Sequence, residues 1–281
     1  MGDSELKFRT VHFDSRLRSS GTNSDFTFQL SESFTTPENT ICYIDSVSVP
    51  HSWNTISADN NTFYLAEKVG SVYTIRAVTL PIGDYKANTL RTALETALNA
   101  GTLPTGVSAN YTCLHILTTN KIIISSPDHN TVSFHLLTDD EIKVFADPSL
   151  LNINVRSPNS AAGILRNRNG GYSTVASGYD YVTSWSSGFV DILNHHNIYI
   201  CSSLASYATM GPIGQPVLAK IPVSSSWGVT IHYAAPNVQI YSDIGKRTIS
   251  EVSFSLQDAY GRIIDLEGGT WSLSLTFMVK D

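Results

Sequence analysis

The chain has 281 residues, a formal net charge of −6 and a pI near 5.7, a balance that argues against a dedicated nucleic-acid binder. Only 15% of its residues are charged, against about 25% in an ordinary soluble domain, and Ser, Thr and Asn fill the missing polar positions. A surface that is polar but weakly charged suits close packing against neighbours better than the life of a free enzyme, while 42% apolar residues at this length suffice for a full core without disulfides or metals.

Taken in chain order, the first predicted strands are 6–13, 26–30, 40–49 and 62–66, short and rich in Val, Ile, Phe, Tyr and Thr. After LPIGDY the pattern changes: Leu90, Ala93, Leu94, Ala97 and Leu98 recur at helical spacing, with Asn88 as expected N-cap and Gly101 as expected stop. Strands are expected at 107–117, 121–126 and 132–137, then a short helix at 139–145 opened by Asp139, Asp140 and Glu141. Residues 148–180 are rich in Asn, Ser and Gly and read as a long surface connection. Strands resume at 197–202, 216–222, 228–234 and 237–241. The clearest alternation comes last. Val252, Phe254 and Leu256 alternate with serines, and Trp271, Leu273, Leu275, Phe277 and Val279 alternate with Ser272, Ser274 and Thr276, so each set lies on one face of a strand. The two strands, separated by turn residues around Gly261 and the Gly268–Gly269 pair, are expected to pair antiparallel.

Many short strands with few helices indicate an all-β sandwich or barrel. The expected division is 1–71 as the first part of the β framework, 72–147 as an inserted small α+β domain, and 148–281 as the second part of the framework.

The search for chemistry leads to no site, and the expectation is a non-enzyme with no catalytic, cofactor-binding or metal-binding residues and no cofactor. The chain holds no nucleophile elbow, zincin helix or P-loop. Cys42, Cys113 and Cys201 each sit in an apolar strand-like run and are expected as free thiols, as befits folding in a reducing compartment. His195 and His196, adjacent on a strand, would point to opposite faces and make a poor metal pair. The acidic triplet at 139–141 is explained by the dipole of the helix it opens. Asp258 and Asp265, beside Gly261, are expected to bond the local backbone, with calcium binding as the weaker alternative. Two basic clusters, Lys7 with Arg9, Arg16 and Arg18, and Arg156 with Arg166 and Arg168, read as solvated loop charge before nucleic-acid contact. The N-terminus lacks an apolar targeting core, Leu6 stands where a myristoylation signal needs Ser or Thr, and no apolar run reaches the ~18 residues of a membrane helix. A cytosolic product without membrane anchor is expected, and the sequons at Asn60 and Asn110 are then chance matches.

Several stretches carry a resemblance. FDSRLRSSGTNSDFTFQL (13–30), LPIGDYKANTLRTALETALNA (80–100), NHHNIYICSSL (194–204) and VSFSLQDAYGRIIDLEGGTWSLSLTF (252–277) resemble, in order and spacing, the single jelly-roll minor capsid proteins, or pentons, of virophages and the related Polinton and adintovirus elements. The resemblance implies one jelly-roll β-sandwich with the 72–147 insertion and a closing hairpin. It implies a virion protein, made in the cytoplasm or nucleus of a host cell, forming homopentamers at the five-fold vertices beside a double jelly-roll major capsid protein. The insertion would face outward toward a host receptor, and the N-terminal arginines would lie near packaged DNA. The competing reading is a viral attachment or lectin-like jelly roll binding a host receptor or glycan, with Tyr179, Asp180, Tyr181 and Trp185 as its recognition residues.

Overall fold

A computed structural model describes residues 8–58, 60–100, 110–128, 130–144, 161–165, 175–193, 195–206, 209–234 and 240–280. The chain divides into two compact units, Met1–Trp53 with His195–Asp281, and Asn54–Asn194.

The first unit contains β1 (Phe8–Asp14), β2 (Ser20–Gly21), β3 (Asp25–Thr35) and β4 (Thr40–Pro50), and then, after the second unit, β11 (Asn197–Ser202), β12 (Ala219–Pro222), β13 (Thr230–Ala234), β14 (Ser242–Asp243), β15 (Thr248–Gln257) and β16 (Ser272–Val279). They form two five-stranded antiparallel sheets. The first has the order β1-β16-β4-β13, with β14 also on β4; the second runs β12-β11-β15-β3-β2. The chain crosses repeatedly between the sheets, from β1 to β2, β3 to β4, β4 to β11, β12 to β13, β14 to β15 and β15 to β16, as in a jelly roll. β12 buries Ala219 and Ile221 in alternation, and β15 buries Val252, Phe254 and Leu256 likewise, so the apolar faces of the two sheets satisfy each other by stacking. Phe13 of β1 meets Phe28 of β3 at 5.2 Å and Phe254 of β15 at 4.8 Å, while Phe34 of β3 meets Phe277 of β16 at 5.2 Å. Trp271 closes one end, its indole N–H donating to the Asn23 carbonyl at 2.7 Å. The fold is an all-β single jelly-roll sandwich with an inserted α+β domain.

One expectation is corrected here. The 252–256 and 271–279 segments do not form a closing hairpin: β15 pairs with β3 and β11 in one sheet, and β16 pairs with β1 and β4 in the other. The link between them is far longer than the two to five residues of a tight hairpin. Their apolar faces therefore meet across the core, where Phe254 and Trp271 lie 6.3 Å apart. The predicted strand at 237–241 lies mostly outside the described residues.

The second unit holds β5 (Thr62–Val69), β6 (Val72–Thr79), α1 (Ala87–Leu98), β7 (Thr112–Ile116), β8 (Lys121–Ser125), β9 (Val132–Leu136), α2 (Asp139–Val144) and β10 (Ser184–Ser186). It contains the sheets β6-β5-β9 and β10-β8-β7, linked through 181–186, where Val182 bridges Phe134 and Ser126 N–H donates to the Thr183 carbonyl at 2.8 Å. Leu90, Leu94 and Leu98 of α1 are buried with Phe63, Leu65, Ile122, Ile124, Phe134 and Trp185. The cap of α1 is Lys86 rather than Asn88, because Thr89 reaches back to the Lys86 backbone N–H at 2.9 Å.

The boundary of the insertion falls at 54 and 194 rather than at 72 and 147. β5 pairs along its whole length with β6 and so cannot belong to the sandwich. Ala161, Ala162, Ile164 and Leu165, placed by sequence in a surface connection, are buried in the core of the second unit. Where the sandwich chain breaks off for the insertion, the rings of Trp53 and His195 lie 5.9 Å apart.

Candidate assembly surface

The strand pleat that sends Leu273, Leu275 and Phe277 inward sends Ser272, Ser274 and Thr276 to the outer face of the first sheet. Register decides what lies beside them. β1 places Thr10, His12 and Asp14 opposite Thr276, Ser274 and Ser272. On the other side, β4 places Tyr43, Ser46 and Ser48 opposite the same three residues, with a register shift between Ser274 and Leu275 that leaves Asp45 unpaired and exposed. β13 adds His232 opposite Ser48 and Ala234 opposite Ser46. Three rows therefore cross the sheet: Asp14-Ser272-Ser48-His232, His12-Ser274-Ser46-Ala234, and Thr10-Thr276-Tyr43.

Side chains along the rows are joined. The Thr10 and Thr276 hydroxyls are 2.9 Å apart, His12 Nδ1 and Ser274 Oγ 2.7 Å, Ser46 Oγ donates to Ser274 Oγ at 3.3 Å, and Ser48 Oγ and His232 Nδ1 are 3.0 Å apart. The one carboxylate in the rows, Asp14, is paired with Arg16 at 2.6 Å, and that hydrogen-bonded guanidinium holds its carboxyl below the usual range. Ser274 and Thr276 are largely covered by their neighbours, and exposed Asp45 stands beside the rows, so the open part of the face is the polar, weakly charged set Thr10, His12, Ser46, Ser48 and His232, of the kind a wet interface accommodates.

The residues examined for chemistry are scattered by the fold. Cys42 and Cys113 are buried and free, and burial pushes both thiols up to about 12; Cys201 is half-buried and pushed up to about 11. Such thiols are poor nucleophiles. His195 packs beside Trp53, and desolvation lowers it to about 4. Asp258 accepts from the backbone N–H of Tyr260 and Arg262 at 2.8 and 2.9 Å and from Arg262 Nε at 2.7 Å; Asp265 accepts from Glu267 N–H at 2.8 Å. Glu141 caps α2, accepting from Thr138 N–H at 2.7 Å, and lies 2.9 Å from His135 Nε2. Among the described residues no group of three or more His, Cys, Asp or Glu could hold a metal, and no helix is long and apolar enough to cross a membrane.

The aromatics expected to read a glycan do not form an exposed platform. Tyr179 stacks on His135 with centroids 4.8 Å apart, Trp185 lies in the second unit's core, and Tyr181 donates to the Ala176 carbonyl at 2.5 Å. The N-terminal arginines are engaged within the chain: Arg16 with Asp14, Arg18 with the Ser15 and Gly21 carbonyls and Asn23, and Arg9 over the Phe34 ring at 4.2 Å. Lys7, Arg156, Arg166 and Arg168 lie outside the described residues. Sequence reasoning missed the hydroxyl rows as a unit. The serines of β16 were visible by alternation, but their neighbours on β1, β4 and β13 are set by register alone.

The fold and face together define a single jelly roll with a large α+β insertion. No protein-family model matches the chain, and no curated protein is a significant match. Among solved structures the chain is similar to the mavirus penton protein, with 12% identity, a TM-score of 0.56, and coverage of 98% of this chain and 100% of that one. The shared property is a penton-like jelly-roll fold.

Proposed function

We propose that the chain is a structural virion protein, a penton subunit that assembles as a homopentamer at the five-fold vertices of an icosahedral capsid and packs there against a double jelly-roll major capsid protein. The observation that carries this reading is the extent of the match. Jelly rolls serve many functions, and likeness confined to the sandwich would mean little. Coverage of 98% of this chain also takes in residues 54–194, so sandwich and insertion are matched together. The polar, weakly charged face of the first sheet supports the same reading, because interfaces between copies commonly hold bridging water beside polar groups. In this role the protein resides in the virion and does no catalysis, and the 54–194 unit is the part available to meet a host receptor. DNA contact by Arg9, Arg16 and Arg18 draws no support from their geometry and is left out of the proposal.

Two measurements test it. Light scattering on the purified chain should give about five times 30.7 kDa. Co-expression with a double jelly-roll capsid protein should place the chain at shell vertices by electron microscopy. A trimer in solution, or shells that exclude the chain, would overturn the reading.

A further inference from the structure

The two sheets of the sandwich end differently. An open strand edge carries a row of unpaired N–H and C=O groups, and soluble proteins blunt such edges with short strands, lysine, proline or bulges. The second sheet is blunted on both sides. β12 is four residues long and contains Lys220 and Pro222, and β2 is two residues long. The stretch of β3 that β2 leaves uncovered is broken by a register shift between Ile249 and Glu251 of β15 and carries exposed Glu32. The first sheet lacks these devices. β1 runs seven residues in unbroken register with β16, β13 runs five with β4, and neither holds a lysine, a proline or a bulge. Among the described residues no strand pairs with the outer side of either. The alternation of an antiparallel ladder fixes which groups are left free there. Ser15 N–H donates to the Trp271 carbonyl at 2.9 Å, so Arg9, Val11 and Phe13 bond β16 while Phe8, Thr10, His12 and Asp14 turn their main-chain groups outward. His51 N–H donates to the Val229 carbonyl at 3.1 Å, which likewise leaves Thr230, His232 and Ala234 outward on β13.

Resting on the penton reading above, we propose that the free edge of β13 in one copy pairs with the free edge of β1 in a second copy, so that the first sheet runs on from subunit to subunit through main-chain hydrogen bonds. Strand direction suits this pairing. β1, β16, β4 and β13 alternate, so β13 runs opposite to β1, and a copy that continues the sheet presents an antiparallel partner. Within one copy β16 and β4 stand between the two edges, which therefore cannot join each other. Each copy gives β13 to one neighbour and β1 to the other, a heterologous contact of the kind that closes into rings. Thr230, His232 and Ala234 supply donors and acceptors to match the outward row of β1. Charge does not oppose the contact: Arg9 lies over the Phe34 ring, Asp14 keeps Arg16, and β13 has no Asp, Glu, Lys or Arg.

The test is made in the full chain. A proline at an outward residue deletes a donor of the contact and leaves the ladder inside the sheet whole. Thr10→Pro and His232→Pro should each reduce the mass in solution about fivefold, to that of a monomer, with the far-ultraviolet circular dichroism unchanged. Thr10→Lys and His232→Lys, which bring to these edges the residue that blunts others, replace a proline variant that folds poorly. Hydrogen exchange read by mass spectrometry gives a second measure. Peptides covering 8–14 and 230–234 should exchange more slowly in the assembled wild type than in the monomeric variants. Retention of the wild-type mass by the variants of either strand, or equal exchange of either peptide in ring and monomer, would overturn the edge contact. So would a monomeric wild-type chain. The penton reading is judged separately, by whether the wild-type chain enters shell vertices, and survives if the ring forms through other surfaces.

Discussion

In the sandwich, the side chains that decide the structure are apolar and stand two residues apart along the strand. In the inserted unit a carboxylate holds a comparable position. Glu67 on β5 is 1% exposed and accepts from Arg76 Nε at 2.9 Å and from the Tyr111 hydroxyl at 2.8 Å, while Arg76 also donates to the Leu98 carbonyl at 2.7 Å. That network ties β5, β6, α1 and the start of β7 together at one buried charge. One region is specified by shape and pattern; the other depends as well on matching donors to acceptors, which is unforgiving when one partner is lost.

The sharpest way to break the sandwich is to hollow its core. Phe254 packs against Phe13, Phe26 and Trp271 and is 1% exposed. Phe254→Ala should lower stability by about 4 kcal/mol, read by denaturant unfolding. In the inserted unit the corresponding stroke is Glu67→Ala, which strands the largely buried Arg76 guanidinium and the Tyr111 hydroxyl and should cost about 3 kcal/mol. Replacing both Glu67 and Arg76 by apolar residues should recover part of that loss. A double variant no better than Glu67→Ala would mean that the network stabilises through packing alone.

A pH titration separates the regions differently. Desolvation lowers His195 in the sandwich from 6.5 to about 4, opposed by attraction from Asp258 and aided by Arg262, His51 and His196. The unfolded chain therefore binds a proton at this site more readily than the folded one. Stability from His195 is complete above about pH 6.5 and is lost as pH falls toward 4, by ~3 kcal/mol at most. His195→Gln should flatten the stability difference between pH 7 and pH 4.5 relative to wild type. An unchanged difference would assign acid sensitivity to other groups.

The same contrast explains what could be read beforehand. Alternation at 252–256 and 271–279 revealed two half-buried strands, and the Leu90-Leu94-Leu98 spacing revealed the helix, because both are local periodicities. The partners of those strands were not legible: which sheet takes Phe254 and which takes Leu275 depends on contacts far apart in the chain. The edge of the insertion was missed because β5 looks like any sandwich strand until its hairpin with β6 is seen. The cap of α2 was legible in kind, an acidic group at a helix start, but its detail is a box in which the Thr138 hydroxyl accepts from Glu141 N–H at 3.2 Å while Glu141 accepts in return. Thr138→Ala should cost about 1 kcal/mol, a small effect measurable as a shift in the unfolding midpoint.

The smallest expected effect bears most directly on assembly. Ser48 bonds His232 on the outer face of the sandwich, where water can replace either partner. Ser48→Ala should change the stability of the isolated subunit by less than about 0.5 kcal/mol. The buried hydroxyl of Tyr111 is the opposite case: Tyr111→Phe leaves Glu67 short of a donor in a place water does not reach, and should cost about 1 to 3 kcal/mol. If Ser48→Ala proved as costly as Tyr111→Phe, the hydroxyl rows would be holding the sheet together as a structural network. Their lack of charge would then need no partner copy to explain it. A near-neutral Ser48→Ala, set beside a His232→Pro that dissociates the ring, would show that this end of the sheet matters to the neighbour and not to the fold.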